Sequence, residues 1–409
     1  MLDQARSSPK RLGVRRDADL YYYYAAFAQS FIEDKARELD LPPRSTILDP
    51  WCGSGTTLAV SRQLGYRSIG SDINPVSVVL TKSRFATAED VDFVSRKLER
   101  AISTVSRETT EDQRPDTLLW RLRQNVLGSR CDRLWSPDGY RTLSPRLALL
   151  LTGLFFFGRK AMNRARSKNP GWLKRREVAR LTATELEICY SDLRVVLDAF
   201  KLSTQNCVVK DLFPRVEVIN NETNFISTSP EVDAVVTSPP YLTRLDYGVL
   251  TEMEWRILKN DPDAEIKSWR ASFTGSVLTL RVPTSKFPLP RSISDIMRAI
   301  HAHSSKASRG YYFYFFRNYF VGIQNAIDNI TASCKVGAKG IFVVQDSQFK
   351  DIDIPLANLF SDILTARGWR VDGVESFSIA PTFYRVNTKR WARENLVRTE
   401  NLIWARRLT

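Results

Sequence analysis

The sequence predicts an α/β protein built on a doubly wound, mostly parallel sheet, and three observations carry that prediction. Short β-branched runs alternate with helical stretches over residues 45–85 and again over 320–409. A Gly-x-Gly turn, Gly53-Ser54-Gly55, joins the first run to a helix. A Ser-Pro-Pro-Tyr string directly follows another apolar run, at a carboxyl strand end, where doubly wound sheets keep their chemistry.

Taken in order, Ala18 to Leu39 reads as a helix rich in aromatics at its start, broken by Pro42 and Pro43. Ser45 to Asp49 is a short strand, Thr56 to Leu64 a helix stopped by Gly65, and Tyr66 to Asp72 a second strand. Asn74-Pro75 is a helix start, with Asn as the cap and Pro in the first turn. The alternation then stops, and residues 86–205 read as mostly helical. Strands resume at Cys207 to Lys210 and Val232 to Val236, and an irregular, Ser-rich stretch runs from Leu250 to Phe320. A helix (Val321 to Cys334), a Gly337–Gly340 turn and a strand (Ile341 to Gln345) follow. The chain closes with a helix (Ile354 to Arg367) and two antiparallel strands (Val371 to Ile379, Asn401 to Arg406). The expected organisation is a first catalytic part at 1–85, an insertion at 86–205, and a second catalytic part at 206–409 carrying its own insertion at about 251–320.

Composition narrows the partners. The 409 residues carry a net charge of +15, which suits a polyanion, and nucleic acid is the commonest one. Between Trp120 and Arg180 there are 15 Lys and Arg against three acids, interleaved with Trp120, Trp135, Tyr140 and Trp172. A solvated helical face explains an ordinary charge run. Concentration in one insert, with aromatics, points instead to a nucleic-acid surface at Arg164, Arg166, Lys168, Lys174, Arg175 and Arg176. The five cysteines are scattered with no Cys-x-x-Cys pair, and only His301 and His303 are present, so neither a metal site nor a disulfide framework is expected. The basic N-terminus lacks the apolar stretch of a signal peptide, and the apolar run Leu147 to Phe157 is too short to cross a bilayer. The expectation is a cytoplasmic, reduced protein with no membrane contact.

The string Asp49-Pro50-Trp51-Cys52-Gly53-Ser54-Gly55-Thr56 lets a ligand approach the backbone closely. It is not a dinucleotide loop, because a third glycine is replaced by Leu58, nor a Walker loop, because no Gly-Lys-Ser/Thr follows. An acid at the strand end (Asp49) suits a cationic ligand, and Asp72, ending the next strand beside Ile73 and Asn74, suits ribose hydroxyls. A structural tight turn is the bland alternative.

At Ser238-Pro239-Pro240-Tyr241, two acceptors can engage the two N–H groups of an exocyclic amine and aim its lone pair. The Ser238 hydroxyl is one, and a backbone carbonyl, that of Pro239, is the other. Paired prolines stiffen the turn, and Tyr241 offers a ring to stack on a base turned out of its helix. Ring-carbon methylation needs a cysteine nucleophile, and no cysteine here follows a proline.

These two strings, with Gly70-Ser71-Asp72-Ile73-Asn74-Pro75, resemble the amino-group (N4-cytosine and N6-adenine) methyltransferases of DNA. Trp51 stands where that family usually has Phe. The resemblance covers about residues 18–85, 205–250 and 320–409. It implies a seven-stranded, Rossmann-like methyltransferase sheet with a terminal antiparallel strand and a helical basic insertion. It also implies S-adenosyl-L-methionine as cofactor and duplex DNA as partner, and leaves room for a cognate restriction endonuclease or defence partner. By the same resemblance Tyr21–Phe31 covers the methionine end of the cofactor, and Asp211, after the third strand, meets the adenine amino group. Ser238 in the first motif position is similar to the cytosine-N4 group. Adenine N6, an RNA base amine and a catalytically silent DNA-binding module stay as alternatives. The segment order places recognition between the two halves, whereas the wording of the cofactor motif resembles the group with permuted order.

Overall fold

Four short strands begin the sheet, the last two of them rich in Val. They are β1 (Thr46–Asp49), β2 (Arg67–Asp72), β3 (Val216–Asn220) and β4 (Val232–Thr237). In the computed structural model, the described residues are 20–21, 23, 26–108, 115–128, 142–164, 182–205, 216–220, 231–242, 246–259, 262–278, 285–379 and 398–409. With β5 (Cys334–Gln345), β8 (Trp369–Ile379) and β9 (Arg398–Arg407), these strands form a seven-stranded sheet in the order β3-β2-β1-β4-β5-β9-β8. All neighbours are parallel except β9, which runs antiparallel to both β5 and β8. A small hairpin, β6 (Ser347–Phe349) with β7 (Ile352–Ile354), stands apart. This is the mixed methyltransferase-type sheet that the resemblance implies.

The period-2 alternation explains the two layers. In β1, Ile47 packs with Phe27, Phe31 and Ile32 around helix α1 (Gln29–Glu38), while Leu48 faces the opposite cluster. In β4, Ala234 and Val236 join the first layer, and Val232 and Val235 the second. Helices α2 (Thr56–Gln63) and α3 (Pro75–Ser83) follow the first two strands, as read from the sequence.

Among the described residues the insertion contains four helices: α4 (Ala88–Glu108), α5 (Pro115–Leu127), α6 (Pro145–Arg164) and α7 (Ala183–Gln205). They do not form a core of their own. Leu98, Leu122, Phe155 and Leu197 share one apolar cluster with Val76 and Val79 of α3. The apolar run Leu147 to Phe157 is the packed face of α6, and no described helix is long and apolar enough to cross a membrane. Part of the insertion's basic charge is spent internally. Arg146 pairs with Asp90 at 2.6 Å, Lys160 with Asp192 at 2.8 Å and Lys201 with Asp92 at 2.5 Å.

Several sequence expectations are corrected. The helix expected over Ala18 to Leu39 begins only at Gln29. Tyr21 and Tyr23 are anchored to separate elements, Tyr21 to Glu254 and Tyr23 to Ser77, so the preceding segment is held irregular by its side chains. The Gly337–Gly340 turn is instead an irregularity within β5, where the register jumps from Val232↔Cys334 to Ala234↔Lys339. The irregular stretch 250–320 is largely helical: α8 (Tyr247–Leu250), α9 (Glu252–Leu258), α10 (Pro262–Ser272) and α11 (Arg291–Ala302) lead to a π-helical turn, Ser308–Tyr312, and to α12 (Phe313–Ser333). Helix α13 (Leu356–Thr365) then precedes β8. The strand expected at Cys207 to Lys210 lies outside the described residues, and the third strand of the sheet is Val216–Asn220.

The insertion is pinned by one buried ion pair. Glu254 of α9 has a fully buried side chain, and its oxygens accept from Arg159 Nε at 2.8 Å, from Arg159 Nη2 at 2.5 Å, and from the Tyr21 hydroxyl. Burial works against the Arg159 charge, yet Glu254 holds its pKa raised. Replacing one partner strands the other charge in a dry site. Arg159→Ala is expected to lower unfolding free energy by about 3–5 kcal/mol in urea titrations. A loss below about 1 kcal/mol, the range of exposed pairs, would show that Glu254 is solvated.

Candidate functional site

The two motifs meet because β1 and β4 are neighbours. Asp49 ends β1 and is 2% exposed. Its Oδ1 accepts from Thr237 Oγ1 at 2.7 Å, across from the last residue of β4, and from the Trp51 amide at 3.3 Å. The Gly53-Ser54-Gly55 turn and Ser238–Tyr241 therefore leave adjacent strand ends with their spacing fixed by a buried carboxylate. The sequence reading had Asp49 facing a cationic ligand. In the structure its side chain turns inward, to Thr237, and acts as a tie.

Gly53 and Gly55 have φ of +51° and +78°, in the left-handed region that favours glycine. A Cβ at Gly55 would lie 2.6 Å from Thr81 Cγ2, and one at Gly53 would lie 3.2 Å from Tyr23 Cε1. Thr81 Oγ1 donates to the Gly53 carbonyl at 2.9 Å, and Arg84 Nε donates to the Ser54 carbonyl. Asp72 closes the turn from β2: Oδ2 accepts from the Gly53 amide at 2.9 Å and Oδ1 from the Asn74 amide at 2.8 Å. Asn74 caps α3, accepting from the Val76 amide at 3.1 Å, and donates to Thr251 Oγ1 at 2.9 Å. Pro50 is buried beneath the turn and Ile73 is half-buried beside it. Ser54 Oγ and Thr56 Oγ1 are buried with no hydrogen-bond partner among the described residues.

Burial pushes both Asp49 and Asp72 up to about 6, against hydrogen bonds that pull the other way. The buried Cys52 thiol, raised by desolvation and then by Asp72 and Asp49, stays protonated and is no nucleophile.

At the second motif Ser238 is half-buried, Pro239 buried and Pro240 half-buried. The Pro240 carbonyl accepts from the Tyr319 hydroxyl of α12 at 2.9 Å. Among the described residues nothing donates to the Pro239 carbonyl. Tyr241 departs from expectation. It is 6% exposed, and its hydroxyl donates at 2.7 Å to the buried Glu400 of β9. Its ring is thus no open stacking face in this conformation, and Glu400 fixes its orientation.

Sequence reasoning missed Thr237, Glu400, Tyr319 and Tyr247. Tyr247 is the one that joins the halves. Its hydroxyl accepts from the Tyr241 amide at 3.2 Å and its carbonyl accepts from Thr251 Oγ1, which also meets Asn74. After burial, its proximity is among the causes that raise the hydroxyls of Tyr23, Tyr241 and Tyr319. Tyr247 lies six residues after Tyr241 in the sequence, and the fold brings it close enough to Tyr23 to influence its hydroxyl. Asp211, Arg166, Lys168, Lys174, Arg175 and Arg176 lie outside the described residues, as does the side chain of Arg164. Asp211 precedes β3, and the residue at the carboxyl end of β3, opposite Asp72, is Asn220. Among the described residues no group of three or more His, Cys, Asp or Glu could hold a metal ion.

Fold and site together define an α/β protein with the methyltransferase-type sheet, a glycine cradle on β1 and a proline-stiffened polar corner on β4. Its likeness to the N6/N4 DNA methylases is found directly. Residues 26–83 match the N6/N4 methyltransferase family model, described as DNA methylase. The type II methyltransferase M.BsoBI of Geobacillus stearothermophilus is 42% identical over 55 residues, 13% of this chain and 11% of that protein. The match therefore spans about a tenth of that relative. Among solved structures, the rRNA methyltransferase aviRa from Streptomyces viridochromogenes aligns over 95% of this chain and 89% of its own, at 10% identity and a TM-score of 0.29, too low to bear on function.

Asp72 as a cofactor ligand predicts a pH dependence of cofactor binding. Above about pH 6 its carboxylate is charged and accepts on both oxygens; below, protonation removes the charge and turns one oxygen into a donor. The dissociation constant for S-adenosylmethionine, by calorimetry, is expected to be flat near neutrality and to rise by up to about tenfold per pH unit below 6. Asp72→Asn should flatten this dependence, leaving only the part due to Asp49. An unchanged profile in the variant would remove Asp72 from the binding site.

Proposed function

We propose that this protein transfers a methyl group from S-adenosylmethionine to an exocyclic amino group of a DNA base, with N4 of cytosine the favoured target. The observation that carries the reading is the 2.7 Å bond from Thr237 to Asp49, which sets a ligand cradle and a polar corner side by side. The cradle fits the cofactor: the left-handed Gly53 and Gly55 form a tight turn packed against Tyr23 and Thr81, Ser54 and Thr56 keep buried hydroxyls without partners among the described residues, and Asp72 places a carboxylate at the end of β2 beside that turn.

When bound, the cofactor supplies an electrophilic methyl on a cationic sulfonium. The chain's own residues do the rest by positioning. A base amine has its lone pair delocalised into the ring and is a poor nucleophile. The Ser238 hydroxyl oxygen and the Pro239 carbonyl can accept its two N–H groups, favouring a pyramidal nitrogen with its lone pair directed at the cradle. The carbonyl of Pro240 is engaged by Tyr319, which leaves that of Pro239 for the amine. Tyr241, buried with its hydroxyl on Glu400, holds the shape of this corner. Ser at position 238 is the feature that favours cytosine. The basic insertion, with Arg164, Arg166, Lys168, Lys174, Arg175 and Arg176, is the region proposed to grip DNA.

Plasmid DNA incubated with the protein and labelled cofactor, digested and analysed by nucleoside mass spectrometry, is expected to yield labelled N4-methylcytosine, and none with Ser238→Ala. Labelled N6-methyladenine would keep the reaction and change the base. Absence of label in DNA, with label in tRNA or rRNA, would overturn the DNA reading.

A further inference from the structure

A second basic surface lies in the other insertion, on the opposite side of the sheet. From Met297 to Ile327 the sequence contains no acidic residue, while Arg298, His301, His303, Lys306, Arg309 and Arg317 all fall within it. Arg298 is paired with Asp295, and His303 contacts Asp351 at 2.7 Å. His301, Lys306, Arg309 and Arg317 have no acidic partner among the described residues.

Of these groups His301 and Arg317 line a pocket of about 380 Å³ between α11 and α12, while Lys306 and Arg309 are exposed and not part of its lining. Leu289, Met297 and Phe313 supply apolar wall, Arg298 and Arg317 supply positive charge, and His301 supplies a polar ring. The His301 ring stands edge-on to Phe313 at 5.1 Å. Tyr314, next to Phe313, is exposed. The backbone leading in is unusual: Ala307 has φ of +67°, and the π-helical turn Ser308–Tyr312 follows it. Such features cost energy and persist where surrounding contacts over-determine them, which is common at functional sites.

The pocket lies on the working edge of the sheet. Helix α12 delivers Ser333 to the start of β5 at the opposite edge, and Tyr319, four turns earlier, touches Pro240 just past the end of β4. Phe313 and Arg317 precede Tyr319 on the same helix, so they rise beyond the catalytic corner. The first insertion packs through α3 on the other side.

We infer that this pocket and the Lys306–Arg309 surface form a second contact to the DNA backbone: the cations meet phosphates, and the Met297–Phe313 wall takes the sugar or base of one nucleotide. An unpaired cation gains most from a phosphate, and an aromatic wall favours a nucleotide over an acidic peptide. The inference rests on the DNA reading above and goes further by assigning a site outside the strongly basic first insertion.

Anisotropy of a fluorescein-labelled duplex, measured across a salt series, tests it on the full chain. Arg309→Ala/Arg317→Ala should weaken binding at least about tenfold and reduce the slope of log K against log salt by about 2, with cofactor affinity unchanged. Lys306→Ala/Arg309→Ala, both exposed, reads the same slope if the first variant does not fold. An unaltered slope would overturn this inference and leave the DNA reading standing. Wild-type protein that binds an RNA hairpin but not the duplex would overturn the occupant, and binding to neither would remove both.

Discussion

The geometry of the site depends on one buried carboxylate. A charged group withdrawn from water is costly unless it is bonded, and Asp49 is held by a hydroxyl from β4 and an amide from its own turn. Those bonds do not fully offset desolvation, which is why its pKa rises to about 6. What the arrangement provides is registry. Two loops with different tasks emerge from neighbouring parallel strands, and the Thr237–Asp49 bond fixes their separation. Asp72 performs the matching task one strand over, closing the Gly53 turn onto α3.

A second chain of contacts, through Asn74, Thr251, Tyr247 and Tyr241, runs across the mouth of the site and ties the cofactor side to the catalytic corner. Its anchor is the segment at 247–258, where Arg159 from the first insertion meets Glu254. The first insertion is therefore built into the same core as the cofactor half.

Much of this was legible before the structure. The glycine turn, the two strand-end acids and the proline corner are local features, and local chemistry dictates them: positive φ needs Gly53 and Gly55, and Asn74-Pro75 fits a capped helix start. The sheet, with its antiparallel end, followed from the alternation of short runs. What was not legible depends on distant partners. Asp49 reads as a ligand acid until Thr237 is seen 188 positions away. Tyr241 reads as an open ring until Glu400 on β9 claims its hydroxyl. The helix expected from Ala18 failed because Tyr21 and Tyr23 are pulled to separate partners, a tertiary demand that no periodicity records. The strand Val216–Asn220 was not anticipated, and both the run Cys207 to Lys210 and Asp211 lie outside the described residues.

The direct test of this account is Thr237→Val, which keeps the shape of β4 and removes only the hydroxyl. Cofactor affinity and single-turnover methyl transfer should be measured on the same preparation, with thermal melting as the control for folding. If the tie sets the distance between cradle and corner, the protein stays folded, cofactor affinity falls by less than about threefold, and the transfer rate falls by at least about tenfold, the size of effect expected from misplacing reacting groups. A wild-type rate in a variant that binds cofactor normally would contradict it, and would mean that the two motifs are positioned independently.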